Sequence, residues 1–232
     1  MRLDSSSESS PVTSGDGGRC IFGYRSTGRR ILSQLSFFGA ELGPPSVADL
    51  SGVLAAQGRV AIRGDRARIS AVVDAPWRAT GIAHLMSEAG LEPEIGTTDD
   101  GSTTVCTAFA AETMPLALLW LRGTVKTVPF EWVPSSRAQR AWFLAAGTKE
   151  VDGERYVLGL DPQTPDTHAP LAEAFLRAGI APTLIGTRGS SPGLRVSGRK
   201  RLTRLVENIG APPDDPGAWE VWPHAAPWDH HT

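Results

Sequence analysis

Four arginines are spaced so that one surface could collect them. Arg59 and Arg63 flank Val60-Ala-Ile62, Arg66 and Arg68 flank Ala67, and Gly64-Asp65 lies between the two runs. Side chains alternate across a strand. A hairpin turning at Gly64-Asp65 therefore puts Arg59 and Arg63 on one face and Val60 and Ile62 on the other. On the second strand Arg66 and Arg68 alternate with Ala67 and Ile69. If the apolar set packs inward, four guanidiniums stand on an open sheet, where they could hold phosphate oxygens or read guanine edges. The competing reading is an ordinary solvated sheet face, with acids such as Glu94 neutralising part of it. Arg188 and Arg195 are candidates for the same placement later in the chain.

Other chemistry is sparse. His84 and His168 have no partner at metal-ligand spacing, and His230-His231 lies in the tail. No zinc pattern, phosphate-binding glycine loop, nucleophile elbow or Cys/His nucleophile pair is present. Cys20 and Cys106 offer no disulfide framework. No catalytic residue, metal ligand or cofactor is expected from these patterns. Ser197-Gly-Arg-Lys-Arg201 opens an expected helix and could hold an anion at its N-terminus, but a solvated basic turn explains it as well.

A net charge of −2 argues against a strong non-specific polyanion binder, though not against a local basic face. No apolar run reaches the length of a membrane span, and the N-terminus lacks the apolar stretch of a secretory signal. The cytoplasm is the expected location.

The elements that would position the arginines are written twice. Leu50-Ser-Gly-Val-Leu-Ala-Ala-Gln57-Gly58 and Gln139-Arg-Ala-Trp-Phe-Leu-Ala-Ala146-Gly147 are small-residue-rich helical stretches that end in glycine, 89 residues apart. Each runs into a strand-like segment. A second pair shares Ala-Gly-(Leu/Ile)-x-Pro, at Ala89–Pro93 and Ala178–Pro182. The pattern predicts helix, two strands, helix, two strands, helix, in tandem. In the first repeat the helices are expected at 47–57, 76–89 and through 116–121, with strands at 59–63, 66–73, 92–97 and 103–107. In the second, helices are expected at 138–146, 169–178 and 199–209, with strands at 148–151, 155–160, 183–187 and 193–196. Antiparallel strand pairs with helices over one face make an α+β fold. The expected organisation is a disordered segment at 1–18, a lead-in helix within 19–45, repeat one at 46–134, repeat two at 135–211 and a Pro/Trp-rich tail at 212–232. Two repeats in one chain form a pseudo-two-fold unit, so a monomer is expected.

This order resembles the LAGLIDADG homing-endonuclease fold. Leu50–Gly58 matches that nine-residue motif at Leu50, Gly52, Ala56 and Gly58, with conservative changes at Val53 and Leu54. The closer resemblance is to the N-terminal, LAGLIDADG-like part of the WhiA family of sporulation regulators. It rests on Arg140-Ala-Trp-Phe-Leu-Ala-Ala-Gly147, on Tyr156-Val-Leu-Gly-Leu160 and on the closing stretch from Leu202 to Ala211. The resemblance implies two saddle-shaped sheets whose open faces sit on DNA. It also implies an acid before the final glycine of each motif, where active nucleases hold divalent cations. Gln57 and Ala146 stand at those positions. An amide is a weak ligand and a methyl group is none, so a nuclease is not expected. WhiA proteins carry a C-terminal helix-turn-helix, and about twenty residues after the repeat leave no room for one in the sequence given.

The leading expectation is a catalytically inactive LAGLIDADG-like regulator that binds DNA or a transcription-machinery partner. A different class of function stays open: the scaffold recruited to bind or transform a small molecule, with Gln57, Trp142 and Tyr156 as candidate pocket residues. An active nuclease would need acids from elsewhere, such as Asp49 or Glu150. Trp219, Trp222 and Trp228 could anchor a regulatory protein or fold back onto their own chain.

Overall fold

The computed structural model describes residues 44–224 apart from 152, 188 and 190. The N-terminal segment up to residue 43, Arg188 and Trp228 lie outside the described residues.

Repeat one opens with a 3-10 turn, Val47–Leu50, that leads into α1 (Ser51–Ala55). The single helix expected over 47–57 is thus tightened at its start and cut short at its end. Asp49 turns back to accept a hydrogen bond from the Ser46 N–H at 2.9 Å. At the other end the Gly58 N–H reaches Val53 O at 3.0 Å. A side chain at Gly58 would lie 2.4 Å from that carbonyl, which is why the stretch stops at glycine. The hairpin of β1 (Arg59–Arg63) and β2 (Arg66–Val73) follows. Gly64 turns it at φ 60°, a conformation with little penalty only for glycine. Next come α2 (Pro76–Glu88), β3 (Pro93–Thr97), β4 (Thr103–Thr107) and α3 (Met114–Trp120). A two-stranded ribbon, β5 (Leu121–Arg122) with β6 (Val125–Lys126), was not foreshadowed by the sequence pattern.

Repeat two runs through α4 (Ser136–Ala146), β7 (Gly147–Lys149), β8 (Arg155–Gly159), α5 (His168–Arg177), β9 (Thr183–Ile185), β10 (Gly193–Ser197) and α6 (Arg199–Ile209). Ser135 caps α4, its hydroxyl accepting the Ala138 N–H at 3.0 Å. A short helix, α7 (Pro216–Val221), closes the described chain. Its first turn is capped by Asp215, which accepts the Gly217 N–H at 2.8 Å.

Both four-stranded sheets are antiparallel, and their orders correspond strand for strand: β1-β2-β4-β3 and β7-β8-β10-β9. This is the α+β tandem-repeat fold expected from the sequence. Helices cover one face of each sheet. The core beneath is continuous between the repeats and includes Leu50, Leu54, Ile69, Ile82, Val105, Phe143, Leu144, Leu158, Phe175 and Leu194.

The motif helices α1 and α4 form the junction. They approach tightly at Gly52, where an added Cβ would meet Ala138 O at 1.8 Å and Trp142 N at 2.8 Å. Ala55 and Ala56 are buried, while Ala145 and Ala146 are only half-buried. Aromatic rings extend the junction on both sides. Trp120 meets Trp132 edge-on at 5.0 Å, Trp132 lies 6.3 Å from Trp142, and Trp142 meets Phe175 edge-on at 5.7 Å.

Candidate nucleic-acid interface

Register decides which arginines share a face. In β1 and β2, Arg59 lies opposite Ser70, Ala61 opposite Arg68, and Arg63 opposite Arg66. Directly opposed residues on antiparallel strands point the same way. Arg59, Arg63, Arg66 and Arg68 therefore all stand on the face away from the helices. Ala67, Ile69, Ala71 and Val73 fill the other face and are buried. Ile62 belongs to the packed face but lies on the edge strand and is 44% exposed. The open face continues across β4 and β3 through Ser70, Cys106 and Glu94.

The four guanidiniums are not equivalent. Arg68 is committed: it pairs with Glu94 at 2.5 Å and donates to Thr107 O at 2.9 Å. Arg59 donates to the Gln163 side chain at 2.7 Å, a contact that reaches into repeat two. Arg63 lies over the Phe109 ring at 4.6 Å, and Arg68 approaches the same ring at 5.1 Å. Phe109 thus holds two guanidiniums by cation–π attraction. Among the described residues, Arg63 and Arg66 have no acidic partner. The four guanidiniums outnumber the acids beside them on this face, which is therefore basic. Asp65 sits in the hairpin turn beside it.

The second sheet differs. Arg195 lies opposite Val157 on the open face. Its guanidinium is tied to Glu150 at 2.6 Å, and Arg155 pairs with the same carboxylate at 3.2 Å. One acid thereby shares two arginines, and the basic character concentrates on the first sheet. Lys200 and Arg201, in the first turn of α6, are exposed.

The other candidates separate. Trp142 and Tyr156 are 0% and 1% exposed and belong to the core. Trp142 donates its indole N–H to Gly159 O at 3.0 Å. Burial pushes the Tyr156 phenol above its ordinary pKa. Gln57 is exposed, so the structure does not gather the three into one pocket. Asp49 is buried, accepting from Ser135 Oγ and Arg137 Nε at 3.1 Å each. Asp49 and Glu150 are thus both held in ion pairs, the first buried and the second on the sheet face.

The tail tryptophans also part. Trp219 is 64% exposed, whereas Trp222 is buried. Trp222 packs edge-on against Phe143 at 5.0 Å, lies under the Arg140 guanidinium and donates to Gly210 O at 2.8 Å. Trp222→Phe should cost about 1–2 kcal/mol, because the buried indole loses its hydrogen bond to Gly210 O and part of its packing. Trp219→Ala should stay within about 0.5 kcal/mol. Urea unfolding of the two variants separates the structural tryptophan from the exposed one.

One feature had no signal in the sequence. The Lys126 ammonium, at the end of β6, donates to Ala56 O at 2.9 Å and to Asp161 Oδ2 at 2.8 Å, with Gly58 O at 3.5 Å. These two carbonyls flank Gln57. Asp161 also accepts the Gln163 N–H at 3.0 Å, and a His168 ring nitrogen meets its carbonyl at 2.8 Å. Burial lowers the Lys126 pKa, with Asp161 opposing the shift. Burial would raise Asp161, but the hydrogen bonds from Lys126 and the Gln163 amide hold it below the usual carboxylate range. The divalent cations that the nuclease resemblance implies do not fit here. Gln57 and Ala146 supply no anionic ligand, and the nearby carbonyls and carboxylate already serve an ammonium.

No protein-family model and no curated protein matches the sequence. Solved structures do. The homing endonuclease I-WcaI, bound to its DNA recognition sequence, aligns at TM-score 0.56 and 11% identity over 72% of this chain and 81% of that one. Full-length DUF199/WhiA from Thermatoga maritima aligns at TM-score 0.50 and 15% identity, over 75% of this chain and 57% of that one. The chain has a LAGLIDADG-like fold. No helix among the described residues is long and apolar enough to cross a membrane.

Proposed function

We propose that this protein is a catalytically inactive LAGLIDADG-like regulator that binds duplex DNA through the open face of its first sheet. The observation that carries the reading is the β1–β2 register, which collects Arg59, Arg63, Arg66 and Arg68 on one solvent-facing surface. Among the described residues Arg63 and Arg66 have no acidic partner, Arg59 is held by Gln163 on the side facing repeat two, and Arg68 is paired with Glu94. The shared fold with I-WcaI, whose structure is of a DNA complex, supports the same reading. Inactivity is supported by Gln57 and Ala146 at the positions where the motif calls for acids. Guanidiniums on a sheet suit phosphate contacts, which set position and affinity without themselves reading sequence.

The test is a salt titration of binding to random duplex DNA, comparing the wild type with the Arg59/Arg63/Arg66/Arg68→Ala variant. Each phosphate contact steepens the logarithmic salt dependence by about 0.9. Loss of about three effective contacts should flatten the slope by about 2.7, so the fall in affinity from 50 to 200 mM salt shrinks about 40-fold. Absence of wild-type binding at low salt would sink the DNA reading. The search would then turn to a transcription-machinery partner at exposed Trp219.

A further inference from the structure

We infer that Lys126 is a resident cation that occupies the oxygen cage at the end of the first motif helix and closes it to divalent metal. The cage is built from Ala56 O, Gly58 O and Asp161 Oδ2. Its composition is that of a hard-cation site: main-chain carbonyls and one carboxylate. The ammonium uses the same oxygens at hydrogen-bond distance and brings the positive charge covalently. Its side chain is 10% exposed and that of Asp161 is 5% exposed, so neither is a solvated surface group.

Electrostatics favour the same assignment. Arg59 lies close enough to act on both members of the pair, lowering Lys126 and Asp161 alike. Two cations already face one carboxylate, and a divalent ion would have to enter against both. The ammonium reaches the cage from the β5–β6 ribbon and binds Asp161 of repeat two. It therefore also locks the first motif helix to the second half of the molecule. The inference is independent of DNA binding, since it concerns the metal alone.

Removing the ammonium should convert the cage into a weak metal site. In Lys126→Ala, the two carbonyls and the Asp161 carboxylate are freed, with Arg59 still nearby. Mn²⁺ uptake is measured by the loss of the free-ion electron paramagnetic resonance signal. Wild type should take up none. Lys126→Ala should take up one ion per chain, with a dissociation constant on the order of 10⁻⁴–10⁻³ M for so few ligands. Lys126→Ala/Asp161→Asn should lose that uptake.

Wild-type uptake that disappears in Asp161→Asn overturns the inference, because metal would then share the cage with the lysine. A folded Lys126→Ala that takes up no Mn²⁺ overturns it equally, since the oxygens would not form a cation site. If Lys126→Ala does not fold in metal-free buffer, millimolar Mn²⁺ must restore its far-ultraviolet circular dichroism. Failure of that rescue also overturns the inference.

Discussion

Gly52→Ala is expected to destabilise the protein by about 4 kcal/mol or more, a large share of a typical folding stability. The new methyl carbon would sit 1.8 Å from Ala138 O and 2.8 Å from Trp142 N. Both are main-chain atoms of α4, so no side-chain rotation relieves the clash. The helices must separate, and they carry Leu54, Phe143 and Leu144 in the shared core, each 0% exposed. Alanine's better helix propensity returns at most about 1 kcal/mol. The control is Gly96→Ala on the open strand β3, where the nearest atom to an added Cβ is Thr104 Cγ2 at 3.5 Å. That change should stay within about 0.5 kcal/mol, because it makes only ordinary van der Waals contact at the surface. Urea unfolding of both variants is the measurement. A cost below about 1 kcal/mol at Gly52 would mean the motif helices have slack that the close approach denies.

The same close approach explains why so much of the fold was legible. Small residues at matched positions 89 residues apart signal two helices that must touch, and the strands after them inherit one order twice. Hairpins were legible because Gly64-Asp65 and Asp99-Asp-Gly101 interrupt alternating runs, and Gly64 and Gly101 take positive φ in those turns. The β5–β6 ribbon was not legible, since two-residue strands carry no alternation. Helix α7 was hidden by the prolines on either side of it.

At the site, alternation sufficed to put four arginines on one face. It could not say which were spent. Arg68 and Glu94 are 26 residues apart and meet only when β2 and β3 both pair with β4. Arg195 and Glu150 are 45 apart. Trp142 and Tyr156 illustrate the limit differently. An aromatic on a helix or strand next to a small-residue motif reads the same whether it lines a pocket or fills a core, and here both are buried. Lys126 gave no signal, because its value lies in three oxygens contributed by two distant segments.

Removing Asp161 should show how much that arrangement matters. Asp161→Asn is expected to cost about 3–5 kcal/mol at neutral pH, since it leaves a buried ammonium without its counter-charge. The pH dependence carries the sign. Lys126 already lies below its ordinary pKa through burial, and loss of Asp161 must lower it further. A lysine whose folded pKa is below its unfolded value of about 10.4 makes the folded state bind fewer protons between the two values. Stability of the variant should therefore rise as pH increases from its folded pKa toward that of the unfolded chain. The acid limb changes in the opposite way. In the wild type, Asp161 is held below the usual carboxylate range. Its contribution is present above the unfolded pKa of about 3.9 and disappears as pH falls through the folded value. The variant lacks this loss, so the two stability curves should approach each other at both extremes and lie farthest apart near neutrality. Lys126→Met/Asp161→Asn, which removes the buried charge altogether, should recover much of the deficit, because an apolar replacement carries no ionic desolvation cost. Urea unfolding across the pH range reads all three proteins. A neutral-pH cost below about 1 kcal/mol in Asp161→Asn, with no alkaline gain, would mean the ammonium is solvated and needs no carboxylate.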